Sequence, residues 1–288
     1  MKDLMILLGV IAALAVFFII VMILDCNRFV IRKYRCSTGK LKKDVKAILL
    51  SDLHNKSFGK GNVKLLKAID RIAPDMILVA GDMYTSAKDG EIRTAWELVC
   101  TLARKYPVYY GNGNHEQKTE LFPDEYGGMY HEFVGKLEKA GVSHLINSKV
   151  YRPDSNIEVY GIEIDREYYK KFQGGQMDKG YVGKLLGKPD KNRFNLLIAH
   201  NPDYFKAYAA WGADLVVSGH IHGGLMRLPV LGGVVSPAIR LFPEYDGGEF
   251  KEKDSVMILG RGLGTHTLPI RIFNPGELVV IELTADLC

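Results

Sequence analysis

The chain has 288 residues, 47% of them hydrophobic and 25% charged, with a formal net charge of +5. Beyond a terminal segment this suffices for one large α/β domain with a full core, and the modest charge does not by itself point to nucleic acid. The four cysteines, Cys26, Cys36, Cys100 and Cys288, form no C-x-x-C pair, which excludes a disulfide framework or zinc–thiolate site and fits a reducing compartment.

Residues 1–3 form a short tail, and Leu4 to Leu24, LMILLGVIAALAVFFIIVMIL, carry no charge. As a helix this run is roughly 31 Å long, close to the hydrocarbon thickness of a bilayer. A buried core helix would have a polar stripe, which is lacking here. A cleaved signal peptide would be followed by a small-x-small site, and none follows; an aspartate before Cys26 argues against lipoprotein processing. Arg28, Arg32, Lys33, Arg35, Lys40, Lys42 and Lys43 follow the span, whereas only Lys2 and the amino terminus precede it. The positive-inside rule then predicts a single-pass protein of the cell membrane with its bulk in the cytoplasm. Residues 25–44 read as a basic juxtamembrane linker and 45–288 as the folded domain.

From Val45 the pattern alternates. VKAILLSD reads as a strand, VKLLKAIDRI as a helix, DMILVAGD as a strand, EIRTAWELVCTLARKY as a helix and PVYYGN as a strand. These intervals predict βαβ units and a largely parallel sheet. Residues 117–140 read as a loop with a helix, and short strands follow around 145–151 and 158–164. NLLIAH, the helix PDYFKAYAAWG, LVVSGH, VMILG and ELVVIEL complete the pattern. Arg166 to Arg193 stands apart, with eight Lys or Arg against three Asp or Glu. It reads either as a solvated excursion or as a basic lid over an anionic substrate.

Polar residues gather where the strands end. AILLSDLH supplies Asp52 and His54, ILVAGD supplies Asp82, and VYYGNGNHE supplies Asn114 and His115. LLIAH supplies His200, and LVVSGHIHGG supplies His220 and His222. Groups just beyond the carboxyl ends of parallel strands converge on one crevice. Imidazole, carboxylate and amide without thiolate suit divalent Mn, Fe, Co, Ni or Zn. The potential ligands are too many for one four-coordinate ion and fit two ions sharing an aspartate. Such a pair clamps an in-line displacement at phosphorus and generates hydroxide at neutral pH. His131, His144 and His266 read as surface or packed imidazoles. GLGT before His266 reads either as a tight turn or as backbone N–H groups for a phosphate, with Gly262 and Gly264 as secondary candidates.

The ordered set DLH, GD, GNGNHE, AH and GHIHGG resembles the calcineurin-like metallophosphoesterases. The tail RGLGTHTLPIRIFNPGELVVIEL with the N-terminal span resembles their bacterial membrane-associated branch. The resemblance implies a two-sheet β-sandwich flanked by helices, an αββα fold, with metals at strand ends. It implies that Asp52, His54, Asp82 and His222 hold one ion and Asp82, Asn114, His200 and His220 the other, manganese being favoured. His115 would be the general acid, or a donor to a phosphoryl oxygen. Many members carry an acidic residue three positions after the bridging aspartate to orient that histidine; Thr85 stands here, so the partner of His115 is unassigned. The purple acid phosphatase branch expects a tyrosine at that position; Tyr84 falls one residue short, which excludes that branch.

The function implied is hydrolysis of a phosphodiester or pyrophosphate by a hydroxide bridging the metals, in a lipid-linked or nucleotide-type substrate. A nuclease, a cyclic-nucleotide phosphodiesterase and a non-catalytic scaffold of the same fold are the alternatives. No long basic stripe favours nucleic acid, and no protein partner is implied.

Overall fold

The computed structural model describes residues 1–88, 90–170, 177–228, 231–235, 241–265 and 268–286. In chain order the elements begin with helix α1 (Lys2–Asn27), strands β1 (Phe29–Thr38) and β2 (Val45–Leu50), and helix α2 (Val63–Ile72). Strand β3 (Met76–Ala80), helix α3 (Arg93–Ala103) and strand β4 (Val108–Gly111) follow. Next come helices α4 (Asn114–Leu121), α5 (Pro123–Tyr126) and α6 (Met129–Lys139), then strands β5 (Ser143–His144), β6 (Ser148–Arg152) and β7 (Ile157–Ile162). Helix α7 (Tyr181–Leu186), strand β8 (Phe194–Ala199), helix α8 (Phe205–Trp211) and strand β9 (Leu215–Ser218) lead to a small hairpin, β10 (Arg227–Leu228) and β11 (Gly232–Gly233). Strands β12 (Gly248–Glu252), β13 (Ser255–Leu259) and β14 (Gly276–Ala285) complete the chain.

Two six-stranded sheets result, ordered β1-β14-β2-β3-β4-β5 and β12-β13-β9-β8-β7-β6. Strand periodicity explains how they stack. In β2, Ala47 and Leu49 face the second sheet, meeting Ile198, Val217 and Ile258, while Ile48 and Leu50 face α2 and α3. The outer face of the second sheet packs Leu197 and Val216 against Phe205 and Tyr208 of α8. Apolar residues on both faces of the central strands therefore dictate four layers, helix, sheet, sheet, helix, as expected. Strands β2 to β5 run parallel, as do β7, β8, β9 and β13, so their carboxyl ends bring connecting loops to one rim.

The segment from 25 to 44, expected to be a linker, is folded. Strand β1 pairs in parallel with β14 over ten residues, from Phe29 beside Gly276 to Thr38 beside Ala285. Its cations meet carboxylates of the domain: Arg32 Nε lies 3.0 Å from Glu277 and Arg35 Nε 2.8 Å from Glu282. Lys40 reaches Asp214 at 2.7 Å, and Lys43 reaches Asp154 at 2.8 Å. The density of basic residues concealed the strand, because charge on an exposed edge strand protects it from pairing with other chains.

Strand β1 also covers β14, whose Leu278 and Val280 are buried. A chain beginning at Asp25 is expected to remain soluble and melt cooperatively. One beginning at Lys43 loses β1, leaves the edge of β14 open and is expected to aggregate. Sedimentation and thermal melting of the two chains test this.

Candidate metal centre

The strand-end residues converge. Asp52, His54 and His222 form one cluster, Asp82, His200 and His220 a second, and His54, Asp82 and His115 a third that joins them. In each, one ligand atom per residue lies within 4.8 Å of the others. Asn114 opens α4 between Gly113 and His115, and the His115 backbone N–H donates to Asp82 Oδ1 at 2.8 Å.

Local backbone geometry makes the convergence possible. Asp52, His54, Asp82, His220 and His222 all have positive φ, between 46° and 75°. Left-handed conformation is unfavourable for such residues and persists where surrounding structure enforces it, which is typical of functional sites. Here the ligand peptides hydrogen-bond to one another: Asp52 N–H to Gly81 O, His54 N–H to Asp82 O, and His220 N–H to Asp52 Oδ1. Close approach also demands glycine. A Cβ on Gly113 would lie 2.2 Å from Asp82 Oδ1, and one on Gly219 2.4 Å from Asp52 Oδ2.

The donor set suits cations on electrostatic grounds. His200 Nδ1–H donates to the carbonyl of Ala80, which can only accept. His200 Nε2 lies 3.1 Å from Asp82 Oδ2, and against the effect of burial Asp82 raises His200 to about 10, so the pair favours a proton in the place a metal cation would take. His54 Nε2 and His222 Nε2 likewise face each other at 3.1 Å. Lone pairs opposed at such distances repel unless a proton or metal cation lies between them. Asp52 Oδ2 and Asn114 Oδ1 are buried acceptors with no hydrogen-bond partner, and such groups fit metal coordination. Burial works against ionisation of Asp82, yet the imidazoles of His200, His115 and His54 outweigh it and hold the carboxyl well below its usual range. Burial, reinforced by Asp82, pushes Asp52 up to about 6.

His115 is oriented by Ser86. Its Nδ1 accepts from the Ser86 backbone N–H at 2.9 Å, with Ser86 Oγ at 2.8 Å. Thr85, at the position where the sequence resemblance implied an acid, instead has Oγ1 3.1 Å from His54 Nδ1. The last residue of GNGNHE is structural: Glu116 is fully buried and accepts from the backbone N–H groups of Asp82, Met83 and Gly113 and from Tyr110 OH. It ties the end of β3 to the end of β4.

Three supporting residues were not singled out from the sequence. Asn274 is buried and donates from Nδ2 to the carbonyls of His222 and Gly224, both at 2.7 Å, while its N–H donates to Asp25 Oδ2 at 2.9 Å. Arg271, also buried, donates to the carbonyls of Arg261, Gly262, Gly264 and Asn274. Tyr169, at the start of the basic segment, stands edge-on to His220 with ring centroids 5.5 Å apart.

The secondary candidates resolve individually. Gly264 N–H donates to Asp52 O at 2.7 Å, and a Cβ there would lie 2.0 Å from Leu53 O, so this glycine serves close packing. A Cβ on Gly262 would lie 2.8 Å from that of Asp52. His131 is exposed, and His144 is packed with Nε2 2.9 Å from Asn112 Oδ1; His266 lies outside the described residues. In the basic segment, Val182 and Leu186 of α7 are buried in the core, while 171–176, the centre of the suggested lid, lies outside the described residues.

Two measurements probe this scaffold. Asn274→Ala keeps the backbone N–H that Asp25 accepts but strands the carbonyls of His222 and Gly224, and is expected to cost about 1–3 kcal/mol of stability in thermal melts. If the cluster holds divalent metal, the substitution should also weaken that binding about 10- to 100-fold by calorimetry. Glu163, which accepts from Asn112 Nδ2 at 2.8 Å, is raised from 4.5 to about 7, chiefly by burial. The folded chain therefore holds that proton where the unfolded chain has lost it. Its contribution is present below 4.5 and is lost as pH rises through about 7. Glu163→Gln is expected to flatten that decline, worth on the order of 1–3 kcal/mol, in melts across the interval.

Comparison with known proteins gives the same direction. Residues 45–224 match the family described as calcineurin-like phosphoesterase. A putative metallophosphoesterase of Caenorhabditis elegans is 26% identical over 267 residues, covering 88% of this chain and 50% of that protein. An uncharacterized metallophosphoesterase of Aquifex aeolicus is 26% identical over 265 residues, covering 88% and 91%. The phosphodiesterase YaeI of Escherichia coli is 27% identical over 203 residues, covering 67% and 66%. The chain spans between 50% and 61% of the length of several curated relatives that it matches. Since the family match covers more than half of the sequence and runs from β2 through the GHIHGG turn, the chain belongs to the calcineurin-like phosphoesterase family.

Proposed function

We propose that the protein is a membrane-anchored dinuclear-metal phosphoesterase that hydrolyses a phosphodiester or pyrophosphate. The observation that carries this reading is the pair of clusters, Asp52–His54–His222 and Asp82–His200–His220, joined through His54 and Asp82. Asp52, His54, Asp82 and His222 would hold one divalent ion, and Asp82, Asn114, His200 and His220 the other. Manganese is the favoured metal, with Fe, Zn, Co and Ni as substitutes. Bound ions would supply Lewis acidity toward phosphoryl oxygen and activation of water.

The remaining chemistry belongs to the chain. The ligand loops fix Asp82 through the backbone N–H of His115 and hold Asp52 through that of His220. Because Ser86 N–H donates to Nδ1 of His115, the neutral ring carries its proton on Nε2. That atom lies 4.0 Å from Asp82 Oδ2, at the join between clusters. This tautomer supports a role in which Nε2–H donates to a phosphoryl oxygen and stabilises developing negative charge. General-acid protonation of the departing oxygen requires the proton to leave that same atom.

Helix α1 is long and apolar enough to cross a bilayer. The basic residues that follow it support a cytoplasmic position for the domain. An anchor favours a phosphoester borne on a lipid or a lipid-linked nucleotide. The likeness to an E. coli protein named as a phosphodiesterase supports the diester class.

The metal-loaded enzyme is expected to cleave chromogenic phosphodiesters, to lose activity on chelation and to regain it with manganese. Asp82→Ala should abolish turnover. His115→Ala should lower kcat by about 10²–10³-fold. If His115 is a charge stabiliser, that loss is the same for good and poor leaving groups; if it is the acid, the loss grows as the leaving group worsens. Inertness of the loaded protein toward diverse diesters and pyrophosphates would leave the scaffold alternative.

A further inference from the structure

The domain grips the last two turns of α1. Along the helix Phe18, Val21 and Met22 are partly covered and Asp25 is buried, while the intervening residues are exposed. These positions define one helical face. The Phe273 ring meets Phe17 and Phe18, with centroids 6.4 and 6.2 Å away, and Cys26 Sγ lies 3.4 Å from Pro269 O. Phe18 precedes Asp25, the first charge after the apolar run, by two helical turns, roughly 10 Å along the axis. If α1 crosses a bilayer, the loop bearing Phe273 accompanies it to that depth.

Phe273 does not stand alone. Ile272 exchanges backbone hydrogen bonds with Leu225 and Arg227, Leu225 N–H donates to Val235 O, and Phe242 N–H donates to Val234 O. Met226 pairs with Ile272 and Val235 with Leu241. The backbone is thus continuous from the loop against α1, through the β10-β11 hairpin, to Leu241 and Phe242. This platform presents Leu231, Leu241, Phe242, Leu268 and Phe273, which are between 42% and 68% exposed. Both phenylalanines have positive φ, 47° and 54°. A bulky residue in that conformation with its ring outside the core signals a constraint other than packing. Clustered exposed apolar side chains mark an interaction surface, and here the surface is continuous with a membrane helix.

We propose that this platform penetrates the bilayer beside α1, as a second membrane contact. It arises directly after His222 and Gly224, whose carbonyls Asn274 holds, so its insertion would fix the metal centre at the level of the lipid headgroups. The proposal rests on α1 being a membrane anchor, the reading given above. It further narrows the substrate to phosphoesters whose apolar part stays in the membrane.

Photo-crosslinking in the full chain tests it. A benzophenone side chain is introduced separately in place of Leu14 in α1, Phe242 and Leu241 in the platform, and Lys139 at the end of α6. Each protein is reconstituted into phosphatidylethanolamine–phosphatidylglycerol vesicles and irradiated, and lipid adducts are read by mass spectrometry. Adducts at Leu14 and at Phe242 or Leu241, with their loss at Lys139, support the proposal. Adducts at Leu14 without any at Phe242 and Leu241 overturn it while leaving the anchor intact. No adduct at Leu14 defeats the anchor reading and the proposal together. Equal labelling at Lys139 would mean indiscriminate contact and would also overturn it.

Discussion

The structure is organised around a buried cluster of carboxylates and imidazoles at Asp82 that requires positive charge among its members. The Asp82 carboxylate lies beside His200 Nε2, and His54 and His222 turn their Nε2 atoms toward each other. Charges and lone pairs brought this close out of water are costly unless a cation compensates them. The backbone holds them together. The means is a mesh of backbone hydrogen bonds between ligand loops, in which one ligand's carboxylate accepts from the peptide N–H of another. Prior organisation of this kind would lower the cost of binding a metal at the candidate centre.

That requirement explains features that otherwise look unfavourable. Five candidate ligands adopt left-handed backbone, and Gly113 and Gly219 stand where a Cβ would collide with the Asp82 and Asp52 carboxylates. Glu116 is buried and pushed up to about 7 by burial and by Asp82, even though its acceptor oxygens are well supplied with donors. Arg271 is buried among carbonyls and lowered to about 10 by that burial. It closes the Gly262–Gly264 turn, which packs against Asp52. Stability is lost locally so that the geometry at the rim is unique.

The same mesh extends to the N-terminal helix. Asp25 receives the Asn274 N–H, Asn274 holds His222 and Gly224, and Arg28 pairs with Asp25 at 2.7 Å. The end of α1 is thus built into the support of one ligand loop. Helix α1 and the candidate metal centre are linked through one hydrogen-bonded network, and β1 joins α1 to the edge of the first sheet.

The sequence by itself determined the α/β layering, because apolar runs of strand length alternate with amphipathic helices. It also determined which residue types meet at the rim, because Asp52, Asp82, Asn114, His200, His220 and His222 each follow such a run and parallel strands aim their ends together. It marked α1 as well, since twenty-one consecutive residues without charge leave few other readings. It did not reveal β1, whose basic residues have carboxylate partners nearly 250 positions away. Nor could it assign Ser86 to His115, Thr85 to His54, or Asn274 to His222. Those pairings are decided by where turns with positive φ deliver their peptides, and neighbouring residues such as Thr85 and Ser86 point to different histidines. Composition and periodicity report what must be buried; only tertiary structure decides which donor faces which acceptor.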